Sequence, residues 1–134
     1  MIFVLDTNVL SERTKTIPDS GVEDFLRRLP VENVRVSAMT LAEIAQGVEN
    51  HPTPALKKFL AEVLNLTIAA FGEEEALHWG HMASVGLASG LALSVRDTVI
   101  AATAAAHGWT VATRNTRDFK SLGVNLFDPW KERL

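Results

Sequence analysis

The stretch Ile2–Leu10, with the sequence IFVLDTNVL, constrains the fold of this chain more than any other stretch. Its first four residues are apolar and two are β-branched, which is typical of a short strand buried on both faces of a parallel sheet. The run stops at Asp6, Thr7 and Asn8, residue types that favour helix caps and turns. A buried strand that ends in a carboxylate places charge where open α/β sheets hold ligands. Taken alone, Asp6 is explained equally well as a helix cap.

Strands and helices alternate along the rest of the chain. Further strands are predicted at Val34–Ala38, Leu66–Phe71, Thr110–Thr113 and Val124–Phe127. Helices are predicted after Asp19, from Thr40, over Leu56–Leu64, from Glu73, and from Arg96 to His107 with Gly108 as C-terminal cap. Because this alternation favours a parallel, doubly wound sheet, we predict an α/β fold with a central parallel sheet of four to five strands flanked by helices. A chain of 134 residues is expected to form one domain, residues 1–134.

Composition excludes several classes of function. The net charge of −3 argues against a generally basic nucleic-acid binder, although local basic patches are still compatible with it. The absence of cysteine excludes disulfides, thiolate metal sites and a cysteine nucleophile. The apolar start is too short for a signal peptide or a membrane span, so we expect a soluble, cytoplasmic protein without membrane association.

Four acidic residues are predicted to meet at one edge of the sheet. Asp6 follows the first strand and Asp118 follows the Thr110–Thr113 strand. Glu43 lies in the first turn predicted for the helix after the second strand, and Asp97 lies at the start of the helix that leads back into the sheet. Right-handed crossovers bring these positions to the carboxyl ends of parallel strands.

Each of these acids also has a structural explanation. Thr40 and Glu43 fit a capping box, Asp97 fits an N-cap, and Asp118 fits a turn. Such caps contribute about 1 kcal/mol each, whereas like charges about 5 Å apart repel by roughly 3 kcal/mol per pair at an effective dielectric of about 20. Capping alone therefore does not explain four acids together. A hard cation such as Mg²⁺ or Mn²⁺ does, since it binds carboxylate oxygens.

With a bound metal, this cluster predicts hydrolysis of a phosphodiester bond. Small polar residues beside the acids could orient them or a water molecule, although turn formation explains each of them equally well: Thr7, Asn8, Ser37, Thr113 and Asn115. Basic residues near the cluster could hold a phosphate backbone, with a solvated loop as the alternative. These RNA-binding candidates are Arg96, Arg114, Arg117 and Lys120. His78 and His81 lie three apart on a helix, and we expect both on a partly solvated face rather than on a metal.

Four ordered motifs resemble those of the PIN domain, and more closely the VapC-type ribonuclease toxins, including the FitB-like branch. They are LDTNVLSE, VSAMTLAEIAQGV, RDTVIAATA and TRNTRDF. The resemblance implies a Mg²⁺- or Mn²⁺-dependent endoribonuclease toxin of a toxin–antitoxin module. In it, Asp6, Glu43, Asp97 and Asp118 match the family's catalytic and metal-binding acids. It also implies a homodimer silenced by a cognate antitoxin protein, through which operator DNA is bound.

Two rival functions are compatible with parts of the sequence. One is a non-catalytic PIN-like scaffold that binds an antitoxin and operator DNA and uses the acids structurally. The other is a phosphatase with an aspartate nucleophile, but such enzymes usually carry a second aspartate where this chain has Asn8. The chain also has no glycine-rich phosphate loop, which argues against nucleotide hydrolysis.

Two apolar surfaces are predicted to bind protein partners. The stretches Val99–Ala106 and Trp79–Leu93 exceed what a small core requires, so they predict a homodimer. An antitoxin helix could cover apolar surface formed by Val22, Phe25 and Leu56–Leu64.

Overall fold

Five short parallel strands form one sheet. A computed structural model, which describes residues 1–134, gives them as β1 (Phe3–Leu5), β2 (Val34–Ser37), β3 (Ile68–Ala69), β4 (Thr110–Ala112) and β5 (Asn125–Phe127). Their order is β3-β2-β1-β4-β5, and every neighbouring pair is parallel. The prediction of a central parallel sheet of four to five strands is therefore confirmed, with β1 in the middle.

Helices connect the strands and flank the sheet. They are α1 (Thr7–Glu12), α2 (Ser20–Arg28), α3 (Ala38–Asn50), α4 (Pro54–Leu64), α5 (Glu73–Ala88), α6 (Val95–His107) and α7 (Thr116–Lys120), with a 3₁₀ turn at Val31–Asn33. None of the helices combines the length and the apolar character needed to cross a bilayer. Gly108 follows α6 with φ at +69°, a left-handed conformation that glycine adopts without strain, and so ends the helix as predicted.

Strand β1 is buried because its side chains alternate between two apolar clusters. Phe3 and Leu5 pack on one side of the sheet with Phe25 of α2, and the rings of Phe3 and Phe25 meet edge to face at 5.2 Å between centroids. Val4 packs on the other side with Ile100 of α6. Two packed faces fix the position of β1, and with it the position of the residue that follows the strand.

The strand predicted at Leu66–Phe71 is shorter than expected. Only Ile68 and Ala69 pair, with Val36 and Ser37 of β2. Strand β3 lies at the edge of the sheet with β2 as its one neighbour, and Phe71 is already exposed. The apolar run therefore continues beyond the residues that pair in the sheet.

The chain itself covers two stretches that were expected to face partners. All of residues 98–104 in α6 are buried, so the apolar face of Val99–Ala106 gives little surface for a homodimer. Val22 and Phe25 are buried in the core beneath α2, so they are not available to the predicted antitoxin helix, whereas Leu64 of the predicted Leu56–Leu64 surface is 55% exposed. Both stretches are apolar because they pack on the sheet of their own chain.

A different apolar surface is exposed on and just after α5. We call it the α5 patch; it consists of Leu87, Leu91 and Val95. Leu87 is the most exposed of these side chains, at 81%. A groove of about 280 Å³ beside Trp79 and Leu93 continues the patch. This part of the predicted Trp79–Leu93 surface is therefore available to a partner.

Candidate active site

Asp6 lies immediately after β1 and is fully buried. Its backbone N–H donates to Ala112 O of β4, which continues the sheet by one residue and fixes the position of the carboxylate. Each carboxylate oxygen accepts two hydrogen bonds. Oδ1 accepts from Thr7 N at 2.7 Å and from Arg96 Nη2; Oδ2 accepts from Thr113 Oγ1 at 2.8 Å and from Asn8 Nδ2 at 3.4 Å. Three of the polar residues predicted beside the acids therefore contact Asp6 directly.

The guanidinium of Arg96 joins three of the four predicted acids. Its Nη2 pairs with Asp6 Oδ1 and also donates to Thr7 Oγ1 at 3.0 Å. Its Nε donates to Glu43 Oε1 at 2.6 Å, and its Nη1 donates to Asp97 Oδ1 at 2.6 Å. The loop after β1 and the helices α3 and α6 thus meet at one cation. Arg96 was predicted as an RNA-binding candidate, but the structure pairs it with the acids instead.

Glu43 does not form the capping box predicted with Thr40. Helix α3 begins at Ala38, and Ser37 is its N-cap, whose Oγ accepts from Thr40 N at 3.2 Å. Glu43 therefore lies in the second turn of the helix, not in the first. Its carboxylate pairs with Arg96 rather than with the backbone of the helix.

Asp97 is likewise not the N-cap of its helix. Ser94 caps α6, and its Oγ accepts from Asp97 N at 3.1 Å. The sequence Ser94-Val95-Arg96-Asp97 has the spacing of a capping box, which could have identified this N-terminus. Since neither Glu43 nor Asp97 caps a helix, capping does not account for either acid.

Asp118 lies apart from the other three acids. It is an exposed residue of α7 that makes no side-chain hydrogen bond or ion pair. It faces Asp97 across a cavity of about 360 Å³, which Ser94 and Ser121 also line. Its charge is near enough to contribute to the raised pKa of Asp97. The predicted four acids are therefore three carboxylates on one arginine and a fourth across a groove.

The site holds opposed charges in partly buried positions. Burial raises the pKa of Asp97 above its ordinary value; the pairing with Arg96 opposes this shift, and the charges of Asp6 and Asp118 add to it. Burial alone would lower the pKa of Arg96, but the charges of Asp6 and Glu43 and the hydrogen bonds to them raise it above its ordinary value. Arg96 therefore remains protonated, and the pocket keeps an excess of negative charge.

The donor set of this pocket fits a hard divalent cation. Carboxylate oxygens are the protein ligands that Mg²⁺ and Mn²⁺ prefer. Three carboxylates already converge on a cationic group, so the pocket attracts positive charge at this point. Asp6, Glu43, Asp97 and Asp118 are the residues that could hold such a metal.

The other predicted basic residues lie on the surface beside the site. Arg114 follows β4; its backbone N–H donates to Asn8 Oδ1 at 3.3 Å, and its guanidinium lies 5.1 Å from the centre of the Trp130 ring. Arg117 and Lys120 are exposed on α7 and make no ion pair. Asn115 donates through its backbone N–H to Thr113 Oγ1 at 3.0 Å and so supports a residue that contacts Asp6.

A second group of possible metal ligands lies elsewhere, between the start of α5 and the end of α6. Glu74, Glu75 and His107 each offer a ligand atom, all within 4.8 Å of one another. Glu75 is occupied structurally: it accepts from Gly72 N at 3.1 Å and pairs with His107 at 3.4 Å. His78 and His81 are exposed, as expected, and do not belong to this group.

Comparisons with known proteins identify relatives along nearly the whole chain. The PIN domain family model matches residues 3–125. Toxin FitB of Neisseria gonorrhoeae is 34% identical, covering 98% of this chain and 100% of the relative. VapC ribonuclease Y4jK of Sinorhizobium fredii is 33% identical, covering 97% and 99%. A crystal structure of VapBC2 from Rickettsia felis bound to a DNA fragment from its promoter is also similar. Its TM-score is 0.83 and its identity is 27%, over 95% of this chain and 98% of the matched chain.

Proposed function

This chain belongs to the PIN domain family, and on that premise we propose that it is the endoribonuclease toxin of a toxin–antitoxin module. It hydrolyses phosphodiester bonds of RNA at the pocket formed by Asp6, Glu43, Asp97 and Asp118. The names of its relatives, a VapC ribonuclease and the toxin FitB, support both the activity and the module.

The observation that carries the proposal is the convergence of three carboxylates on one cation. Asp6, Glu43 and Asp97 come from separate parts of the chain, and no helix cap or turn requires the last two. The single charge of Arg96 offsets only part of the charge of three carboxylates, and such an excess of acids in one pocket is typical of a site that binds a cation for function.

We infer that the bound cofactor is Mg²⁺ or Mn²⁺, held by Asp6, Glu43, Asp97 and Asp118. When bound, the metal supplies a means of activating water and of neutralising charge on the phosphate and the leaving oxygen. The chain itself orients Asp6, through the hydrogen bonds from Thr7 N and Thr113 Oγ1. These bonds hold the carboxylate at the sheet edge when the metal and the substrate bind.

The RNA substrate is expected to lie across the basic residues beside the pocket. Arg114, Arg117 and Lys120 are exposed and bear no carboxylate partner, so their charges are available to phosphate groups. Arg114 is held next to the site because its backbone bonds to Asn8. In a chain with a net charge of −3, these residues give the substrate a local positive surface.

The expected partners are a cognate antitoxin, operator DNA bound through that antitoxin, and a second copy of the toxin. The VapBC2 structure with promoter DNA supports the first two. An RNA substrate and an antitoxin that binds operator DNA are consistent with a cytoplasmic location. The rival function, a non-catalytic scaffold, is not favoured, because a scaffold does not require four acids at a sheet edge.

We expect the purified protein to cleave RNA in Mg²⁺ or Mn²⁺, to lose cleavage in EDTA, and to regain it when the metal is restored. The reason is that the pocket provides ligands for a metal, and the chain has no cysteine nucleophile. The measurement is gel analysis of RNA products with each addition. Undiminished cleavage in EDTA would exclude the metal mechanism, and a folded protein without cleavage in any metal would favour the scaffold.

We expect a homodimer formed through the α5 patch, since several large apolar side chains are exposed there. Light scattering at micromolar concentration, without antitoxin, should give twice the mass of the chain. Leu87→Glu places a charge in the patch and should give monomers. Ile17→Glu is the matched control, because Ile17 is 86% exposed outside the patch and should leave the dimer intact. A monomeric wild-type protein would contradict this interface.

A further inference from the structure

The pocket proposed to bind a metal is already bridged by a side chain of the same protein. Three nitrogen atoms of Arg96 each pair with a different acid: Asp6, Glu43 and Asp97. The side chain of Arg96 is 27% exposed, so part of it remains open to solvent. Its guanidinium therefore occupies one oxygen of each of the three carboxylates that would hold a metal.

The hydrogen bonds of Asp6 show why the two cations compete. A carboxylate oxygen has about two lone-pair positions, and both oxygens of Asp6 already accept two donors. The backbone N–H of Thr7 is fixed by the helix start, and Thr113 is fully buried. Arg96 is a partly exposed donor on a long side chain, so a metal gains the Oδ1 position of Asp6 most readily when Arg96 leaves it.

We propose that Arg96 is an internal counter-cation of the site, and that a divalent metal binds Asp6, Glu43 and Asp97 only by displacing its guanidinium. Arg96 then sets the metal concentration at which the site fills. In the metal-free protein it also keeps the three acids together by offsetting their repulsion. Arg96 is thus a positioning residue that acts through the carboxylates. This inference rests on the proposed metal-dependent function.

Titration with Mn²⁺, followed by the electron paramagnetic resonance signal of the free ion, tests the competition. We expect Arg96→Ala to bind Mn²⁺ at least about tenfold more tightly than wild type, because the competing charge is gone. Arg96→Lys should bind with intermediate affinity, since the single nitrogen of lysine keeps the charge but cannot reproduce the planar guanidinium, whose three nitrogens contact three acids. Equal or weaker binding by Arg96→Ala would overturn the proposal.

Arg28→Ala is the matched control for the loss of one positive charge. Arg28 pairs with Asp24 on α2 and contacts none of the pocket acids. The Arg28→Ala variant should bind Mn²⁺ with the affinity of the wild-type protein. If it gained affinity as Arg96→Ala does, net charge would explain the effect and the proposal would fail.

A measurement on the wild-type protein removes the dependence on variants that fold poorly. The Arg96 Nε–H, which donates to Glu43 at 2.6 Å, should give a protected signal in an arginine-labelled ¹⁵N spectrum. We expect diamagnetic Mg²⁺ to shift or remove this signal, with saturation at the concentration that fills the site. A signal unchanged at saturating Mg²⁺ would show that the metal binds without displacing Arg96, and would overturn the proposal.

Mn²⁺ affinity and RNA cleavage together distinguish a failure of the proposed competition from a failure of the proposed nuclease function. Metal-dependent RNA cleavage with unchanged Mn²⁺ affinity in Arg96→Ala would reject the competition and leave the nuclease function intact. Tighter Mn²⁺ binding in a protein that cleaves no RNA would support the competition and reject the nuclease function. Absence of Mn²⁺ binding in both the wild-type protein and Arg96→Ala would overturn the proposed competition between Arg96 and the metal.

Discussion

Asp6→Asn is expected to lower RNA cleavage by about a thousandfold while the protein remains folded. Asparagine has nearly the shape of aspartate and caps a helix about as well, so α1 still begins after position 6. It removes a charge from the centre of the pocket, and single groups that stabilise charge in active sites contribute about a hundredfold to a thousandfold. The measurement is the initial rate of RNA cleavage in Mn²⁺, with circular dichroism as the check on folding.

Asp19→Asn is the matched control for this substitution. Asp19 also caps a helix from an extended backbone conformation, and its carboxylate accepts from Gly21 N and Val22 N at the start of α2. It lies outside the pocket, so Asp19→Asn should cleave RNA at the wild-type rate. If the two variants behaved alike, Asp6 would be a helix cap without a catalytic role.

Asp97→Asn is expected to raise the stability of the metal-free protein and to remove most of the stabilisation by Mn²⁺. The pKa of Asp97 is raised above 3.8, chiefly by burial. The stability linked to this shift is present below the unfolded pKa and is lost as the pH rises through the folded pKa, so at neutral pH the ionised side chain opposes folding. Asparagine removes that charge, and it also removes a carboxylate that we propose as a metal ligand.

The size of the metal effect follows from mass action. A metal at a hundred times its dissociation constant stabilises the folded protein by about 2.7 kcal/mol, and one bound a hundredfold more weakly stabilises it by about 0.4 kcal/mol. Thermal unfolding in EDTA and in Mn²⁺ measures this difference for wild type and Asp97→Asn. Asp24→Asn, which removes an acid paired on α2, should respond to Mn²⁺ as wild type does. Identical responses in wild type and Asp97→Asn would show that Asp97 is not a ligand.

The sheet edge that carries the acids could be predicted from the sequence because it depends on periodicity and topology. The apolar run before Asp6 predicts a strand buried on both faces, and alternation with helices predicts parallel neighbours. These two properties alone bring Asp6, Glu43 and Asp97 towards one another, without knowledge of any contact.

The role of Arg96 could not be predicted in this way. Its position before Asp97 indicates only that it begins a helix, and a long side chain at such a position can point to solvent, to a phosphate or to an acid. Only the packing of α3 and α6 against the loop after β1 brings Glu43 and Asp6 within its reach. Sequence periodicity describes which face of a helix is apolar, and does not describe contacts between distant polar side chains.

The same limit explains the errors over partner surfaces. The apolar stripes of α2 and α6 were identified correctly, but a stripe does not reveal what covers it. Phe25 packs on Phe3 within the chain, whereas Leu87 of α5 is left exposed. The chain itself covers the stripes of α2 and α6 and leaves the α5 patch exposed.

The most direct test of the proposed active site is to soak crystals of the protein in Mn²⁺, solve the structure and locate the metal by its anomalous scattering. We predict a peak within about 2.0–2.4 Å of carboxylate oxygens of both Asp6 and Asp97, the range expected for hard divalent cations. A peak only at Glu74, Glu75 and His107, from a protein that cleaves RNA in Mn²⁺, would contradict the assignment of the active site to the carboxyl edge of the sheet.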